Sequence, residues 1–121
     1  MTSNKKIGND FEQEFCELLK EKGYWAHFIT PDKRGAQPFD IIAVMNGIAF
    51  AFDCKTCSTK WFTVSRMEEN QKMAFERWLA CGNEDPYVAI KYNNHIYCIP
   101  YNIVYLFGKV NLDNCEMYRW K

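Results

Sequence analysis

The sequence has no apolar segment long enough to cross a bilayer as a helix, which would require about 18 to 20 residues. Its first residues, MTSNKKIGNDFEQEF, are polar and then charged, so the apolar stretch of a secretory signal is absent as well. These absences predict a cytoplasmic protein with no membrane partner. Repeats, low-complexity tracts and linkers are also absent, so we expect one domain over residues 1–121.

The chain also lacks an excess of charge of either sign. The chain has 15 basic and 15 acidic residues and a net charge of zero. This balance does not favour a strongly basic nucleic-acid binder, although binding depends on where the charges lie. One stretch, residues 54–67, has no acid and three cations: Lys55, Lys60 and Arg66. A second basic pair, Lys33-Arg34, lies in a loop bounded by prolines, so local basic surfaces are expected.

The apolar pattern of the first half predicts a helix, a strand and a hairpin. Residues 4–22 have an apolar stripe at helical spacing, and Gly23 ends the helix. Residues 24–30, YWAHFIT, are aromatic and β-branched, which is typical of a strand. Asn46-Gly47 stands between two apolar runs and is a strong signal for a two-residue hairpin turn.

The second half predicts a helix, another hairpin and a short helix. Ser65 and Glu68 fit an S-x-x-E capping box, so we expect a helix from there to Cys81. The segments PYVAIKY and HIYCI, joined by two asparagines, form a second hairpin, and a short helix follows the next proline. The tail EMYRWK is expected to add a strand. The order of elements predicts an α/β domain with a mixed sheet.

The segment AFAFDCKTCST contains two competing motifs. Cys54 and Cys57 form a C-x-x-C, which suggests a thiol redox centre or half of a zinc site. A zinc site needs a second such pair or paired histidines, whereas His27 and His95 each stand alone. Asp53 and Lys55 form a D-x-K, which suggests a metal-dependent nuclease.

The register of the first predicted hairpin favours the second motif. If Asn46-Gly47 is the turn, Met45 pairs with Ile48 and Asp40 faces Asp53. Opposed carboxylates repel in a sheet, and a divalent cation bound between them would offset that cost. Side chains alternate along a strand, so Lys55 shares the face of the two acids and Cys54 points to the other face.

This set of two acids and a lysine suits phosphodiester hydrolysis. Carboxylates can hold Mg²⁺, which polarises a phosphate and lowers the pKa of a bound water, while a lysine stabilises developing charge. Glu12, at the edge of the first helical stripe, could reach the same site, and Glu14 is its competitor on that helix. Gln71 lies in the apolar stripe of the second helix and needs a polar partner.

In these residues the sequence resembles the PD-(D/E)xK nuclease superfamily, and within it the small Holliday junction resolvases of the archaeal and RecU types, including phage versions. The resemblance covers roughly residues 6–92. It is carried by four spaced pieces in the expected order: Gly8 with Phe11-Glu12, Pro38-Phe-Asp40, Asp53-Cys-Lys55, and Gln71.

The resemblance implies a restriction endonuclease-like fold, with a central mixed sheet flanked by helices, and Mg²⁺-dependent cutting of DNA. It implies metal ligation by Asp40, Asp53 and the backbone carbonyl of Cys54, and a catalytic role for Lys55. Glu12 and Gln71 would support catalysis, and Glu12 could also bind a metal. Mn²⁺ can replace Mg²⁺ in such enzymes, and a homodimer acting on four-way or other branched DNA is implied.

Four basic residues are expected to contact DNA phosphates: Lys33, Arg34, Lys60 and Arg66. The aromatic pair Trp61-Phe62 between two of them could stack on bases, although core packing is the commoner role of such residues. Two other functions stay open at this point. One is a nuclease for other branched or duplex DNA, and the other is a non-catalytic DNA-binding module on the same fold.

Overall fold

A computed structural model of the protein describes the backbone of residues 4–30 and 37–121, with side chains from residue 10 onward. The described helices are α1 (Asn4–Glu21), α2 (Glu69–Ala80) and α3 (Tyr101–Phe107). The described strands are β1 (Trp25–Phe28), β2 (Ile41–Met45), β3 (Ile48–Thr56), β4 (Trp61–Thr63), β5 (Tyr87–Tyr92), β6 (His95–Pro100) and β7 (Lys109–Asn111). None of the helices in these ranges is long and apolar enough to span a membrane.

Five strands form the central sheet, in the order β1-β2-β3-β5-β6. Strands β2 and β3 form the hairpin predicted around Asn46-Gly47, both of whose residues have positive φ, and Met45 pairs with Ile48 as expected. Strand β3 pairs in parallel with β5, whereas the other three pairings are antiparallel. The sheet is therefore mixed, and β3 lies at its centre.

The two faces of the sheet have separate apolar cores. Helix α1 packs Phe11, Phe15 and Leu19 onto one face, because these residues recur at helical spacing. The opposite face is covered by Phe75 of α2 and Val104 of α3, among other residues. Strand β3 contributes alternate residues to the two cores, so its position places neighbouring side chains in different environments.

The predicted start of the second helix was wrong. Residues Val64–Arg66 form a short 3-10 helix, and α2 begins later, with Glu68 as its N-cap. The capping box is formed by Glu68 and Gln71, because each side chain bonds the backbone N–H of the other residue. This shift of one turn places Gln71 in the first turn of α2, where its amide has a capping role.

The expected strand in the tail was also wrong. The tail holds a 3-10 helix, Glu116–Tyr118, and makes one isolated bridge, between Tyr97 and Arg119. A second sheet of two strands, β4 and β7, was not predicted from the sequence. Its strands have three residues each, which is too short for an alternating pattern to be recognised.

Candidate active site

The first hairpin brings Asp40 and Asp53 together at its open end. The pairing of β2 with β3 runs to Ile41 opposite Phe52, and the two acids follow one step further along. The backbone N–H of Asp40 still donates to the carbonyl of Phe52, over 3.1 Å. Both carboxylates are buried, with relative exposures of 3% and 0%, so they are not strand-end acids in solvent.

Only one of the two carboxylate oxygens of Asp53 has a hydrogen-bond donor within the part of the chain that the structure describes. Its Oδ1 accepts a hydrogen bond of 2.9 Å from Nε2 of Gln71. Its Oδ2 lies 3.4 Å from Nζ of Lys55, an ion-pair contact that falls short of hydrogen-bond geometry, and has no hydrogen-bond donor among the described residues. A buried carboxylate oxygen without a donor is costly, so this atom is the natural point of attachment for a cation.

Asp40 is held by the backbone of the opposite strand. Its Oδ2 accepts a hydrogen bond of 2.7 Å from the N–H of Cys54. The N–H of Cys57 bonds toward β5, and backbone groups alternate sides along a strand. The carbonyl of Cys54 therefore points, like its N–H, to the side of Asp40.

Gln71 connects Asp53 to Lys55. Its Oε1 accepts from Nζ of Lys55 over 3.2 Å and from the N–H of Glu68 over 3.0 Å, while Nε2 binds Asp53. Gln71, a polar residue in an apolar helical stripe, thus has the polar partners that its buried position requires. The role of Glu68 was missed because Glu is not a preferred N-cap residue, although Gln three positions later fits the capping box.

Helix α1 places Glu12, and not Glu14, near Asp40. Burial and then interaction with Asp40 raise the pKa of Glu12, and the charge of Lys55 lowers it. Glu14 forms a partly exposed ion pair with Lys91 of β5, at 2.6 Å. Glu12 is therefore the glutamate of α1 that lies near the site, because Glu14 is paired with Lys91.

Burial and mutual repulsion favour protonation in this cluster. The pKa of Asp53 is raised well above its usual range, first by burial and then by the charge of Asp40, and Lys55 opposes the shift. The pKa of Glu12 is raised to about 7, again by burial first and by Asp40 second. Ionising all of these carboxyl groups together thus has a high free-energy cost, as expected of a site that binds positive charge.

Comparison with known proteins settles the family. A family model described as archaeal Holliday junction resolvase (hjc) matches residues 3–113. The chain belongs to this family. It is similar to "Crossover junction endodeoxyribonuclease Hjc" of Methanocaldococcus jannaschii, with 29% identity over 96 residues, which are 79% of this chain and 67% of the relative.

A solved structure shows the same fold. The Holliday junction resolvase Hjc of Archaeoglobus fulgidus superimposes with a TM-score of 0.68 at 17% sequence identity, covering 89% of each chain. The predicted restriction endonuclease-like fold, with a mixed sheet flanked by helices, is thereby confirmed. Family membership also confirms the predicted activity: the chain is an endodeoxyribonuclease of the Holliday junction resolvase type.

Nucleases of this resolvase family generally depend on a divalent metal ion, and the residues present fit one. Asp40 and Asp53 offer hard oxygen donors, and one buried oxygen of Asp53 lacks a hydrogen-bond donor. No cluster of three His, Cys, Asp or Glu side chains suited to a metal occurs within residues 10–30 and 37–121. Two carboxylates supplemented by water and substrate oxygens are a common environment for Mg²⁺.

The basic residues expected to contact DNA are only partly described. Lys33 and Arg34 lie outside the described residues. Lys60 is exposed beside Trp61. Arg66 donates to the carbonyl of Thr56 over 2.8 Å, so its guanidinium lies at the end of β3, the strand that carries Asp53.

The cysteine pair has no feature of a redox or zinc centre. The thiol of Cys54 is buried in the core beneath α1, on the face opposite Asp53, as the alternation predicted. Burial raises its pKa well above the usual range, which makes the thiolate rare. Cys57 is partly exposed, and its thiol donates to the backbone carbonyls of Thr59 and Trp61. Both cysteines are free thiols.

Proposed function

We propose that this chain hydrolyses phosphodiester bonds in four-way DNA junctions as a Mg²⁺-dependent homodimer. Asp40, Asp53 and the carbonyl of Cys54 bind the metal ion in this proposal, and Lys55 is the catalytic residue. The observation that carries it is the buried pair of opposed carboxylates, one of whose oxygens lacks a hydrogen-bond donor in the described part of the chain, with a lysine on the same face.

Each side chain has a distinct task in the proposed reaction. When bound, Mg²⁺ supplies charge that polarises the phosphate and lowers the pKa of a water. Lys55 reaches the site from β3, where its ammonium can stabilise negative charge on the phosphate oxygens or orient the attacking water. Gln71 fixes the orientation of Asp53 and the position of Lys55 through its two amide atoms.

Glu12 is proposed as a proton acceptor. Its pKa of about 7 lies near the pH at which a general base works most efficiently. Asp40 is near enough to add to the rise that burial causes in the pKa of Glu12, which supports a position at the metal-binding end of the sheet, and Glu12 could also take part in binding the metal. Gln71 and Glu12 thus complete the catalytic set around Lys55.

DNA would be bound by four basic residues that stand near the acids in the sequence. Lys60 and Arg66 follow β3 closely in the chain, and Lys33 and Arg34 precede Asp40. We assign these four residues to phosphate contacts, which position a nucleic acid without reading its sequence. The short distance along the chain between these cations and the acids supports this assignment.

The homodimer follows from the symmetry of the reaction. Resolution of a four-way junction requires two strands to be cut at related positions. A two-fold dimer of identical chains presents two equivalent sites in a fixed relation, which is the simplest arrangement for such paired cuts.

The proposal is tested by cleavage of four labelled substrates: a four-way junction, a flap, a linear duplex and a single strand. We expect cutting of the junction in Mg²⁺ or Mn²⁺ and none in EDTA. Analytical ultracentrifugation of the same preparation is expected to give twice the mass of one chain. A chain that cuts duplex and junction equally would contradict junction resolution, and one that cuts nothing in either metal would indicate a DNA-binding module.

A further inference from the structure

The small sheet of β4 and β7 presents an exposed tryptophan on its outer face. Phe62 of β4 and Val110 of β7 pair with each other and are buried in the core. Alternation then turns Trp61 outward, and its side chain is 43% exposed. Core packing therefore explains the presence of Phe62 but not that of Trp61.

Two lysines lie over the ring of this tryptophan. Nζ of Lys109 is 4.7 Å from the ring centroid of Trp61, and Nζ of Lys60 is 5.8 Å from it. Lys109 stands opposite Thr63 in the ladder, so it reaches Trp61 diagonally across the two strands. The exposed ring of Trp61 thus lies beside two cations, Lys109 of β7 and Lys60, which directly precedes β4.

We infer that Trp61 stacks on an unstacked base of branched DNA while Lys109 and Lys60 bind the phosphates beside that base. This inference rests on the proposed function and deepens it, because it names a determinant of preference for branched over duplex DNA. An aromatic ring next to cations is the usual means of holding unpaired nucleotides. Bases inside a duplex have both faces covered by their neighbours, whereas a branch point can leave one face free.

The position of Trp61 along the chain suits this role. Trp61 lies six positions after Lys55, so the two Cα atoms lie within about 20 Å of each other even for extended chain. This limit corresponds to roughly six nucleotide steps along one strand. The thiol of Cys57 donates to the carbonyls of Thr59 and Trp61, over 3.1 and 3.3 Å, and so restrains the connection between the two sites.

The contacts in the free protein are of a kind that DNA can replace. A cation over an exposed ring is stabilised less than a nucleic-acid base stacked on such a ring. The lysine released from the ring keeps its charge and gains a phosphate partner. In the free protein the two cations cover an apolar surface that would otherwise be exposed to water.

Binding is measured in EDTA, so that cleavage does not intervene. The probe is a four-way junction with 2-aminopurine beside the branch point, and the reference is a linear duplex of the same sequence. The Kd of each comes from fluorescence anisotropy of an end label, and quenching of 2-aminopurine reports stacking. The variants are Trp61→Ala, Trp61→Phe and Lys109→Ala. The control is Trp25→Ala, because Trp25 is also exposed but lies near the hairpin-turn end of β1, away from Asp40.

We expect Trp61→Ala to raise the Kd for the junction about tenfold and to abolish the quenching, with little change in the Kd for duplex. Trp61→Phe should retain most of both signals, which also shows that the site tolerates substitution. Lys109→Ala should weaken binding and lower the slope of log Kd against log salt by about 1. Trp25→Ala should match the unsubstituted protein.

Failure of this inference can be told apart from failure of the proposed function. If the unsubstituted protein prefers the junction and Trp61→Ala keeps both that preference and the quenching, the inference is wrong and the proposed function stands. An equal loss of junction and duplex binding in Trp61→Ala would likewise contradict it. If the unsubstituted protein binds junction and duplex equally, the proposed function and this inference both fall.

Discussion

Gln71 and Asp53 are joined by a buried hydrogen bond of 2.9 Å, in which the amide Nε2 donates to the carboxylate Oδ1. The other amide atom, Oε1, accepts from Lys55 and from the backbone N–H of Glu68. These acceptor contacts fix which way the amide is turned, because an inverted amide would place two donors against each other. The first turn of α2 therefore holds an acid and the lysine of the candidate site in one arrangement.

The first prediction concerns Gln71→Ala. We expect junction cleavage to slow by roughly 10- to 100-fold, because Asp53 and Lys55 lose the group that orients them. Loss of the capping box should also lower the free energy of unfolding by about 1 kcal/mol. Lys72→Ala is the matched control, since its ion pair with Glu69 is on the surface and both measurements should stay near those of the unsubstituted chain.

The second prediction separates activity from stability at Asp53. Asp53→Asn should reduce cleavage by at least about 100-fold, because the proposed metal ligand is lost. Its free energy of unfolding in EDTA should not decrease, because the substitution removes a buried charge that faces Asp40. Urea denaturation with and without Mg²⁺ checks this: the metal should stabilise the unsubstituted chain and not the variant. Equal stabilisation of both would refute ligation by Asp53.

The third prediction is a pH dependence that arises from Glu12. Its folded pKa of about 7 lies above the ordinary value of 4.5, so the folded protein binds a proton more tightly than the unfolded chain. This contribution to stability is complete below pH 4.5 and is lost as the pH rises toward 7. Denaturation in EDTA across this range should show a decline that is shallower in Glu12→Gln. Glu14→Gln is the control, and an identical slope in Glu12→Gln would contradict the prediction.

The fourth prediction concerns the cysteines. Cys54→Ala combined with Cys57→Ser should leave junction cleavage within about threefold of normal, because no step requires either sulfur. The buried Cys54 thiol fills core volume, so its truncation should lower the free energy of unfolding by about 1 kcal/mol. Cleavage is compared at a temperature well below the unfolding transition. A folded double variant without activity would restore a role for the C-x-x-C motif.

The hairpin shows what the sequence was able to predict. A two-residue Asn-Gly turn permits one register, and that register places Asp40 opposite Asp53 and turns Cys54 away. These relations are local, because they follow from the turn and from alternation along two adjacent strands. No long-range contact had to be known to derive them.

Other features depended on contacts that a single sequence does not reveal. Glu12 and Glu14 are both near the edge of a helical stripe, and the choice between them is made by Lys91, which is 77 residues away from Glu14. The complete burial of Asp53 follows from the packing of α2 over β3. Ser65 and Glu68 match the usual capping box better than Glu68 and Gln71 do, and tertiary contacts of Gln71 favoured the later start.

The shared register of β2 and β3 also limits how this protein can change in length. Adding or removing one residue in the Asn46-Gly47 turn would slide the strands by one position and turn the side chains of β2 to the opposite face. Asp40 would then leave Asp53, and Ile41 would leave the core. Insertions and deletions at this turn should therefore be selected against in descendants of this gene, even though turns elsewhere on a protein surface usually tolerate them.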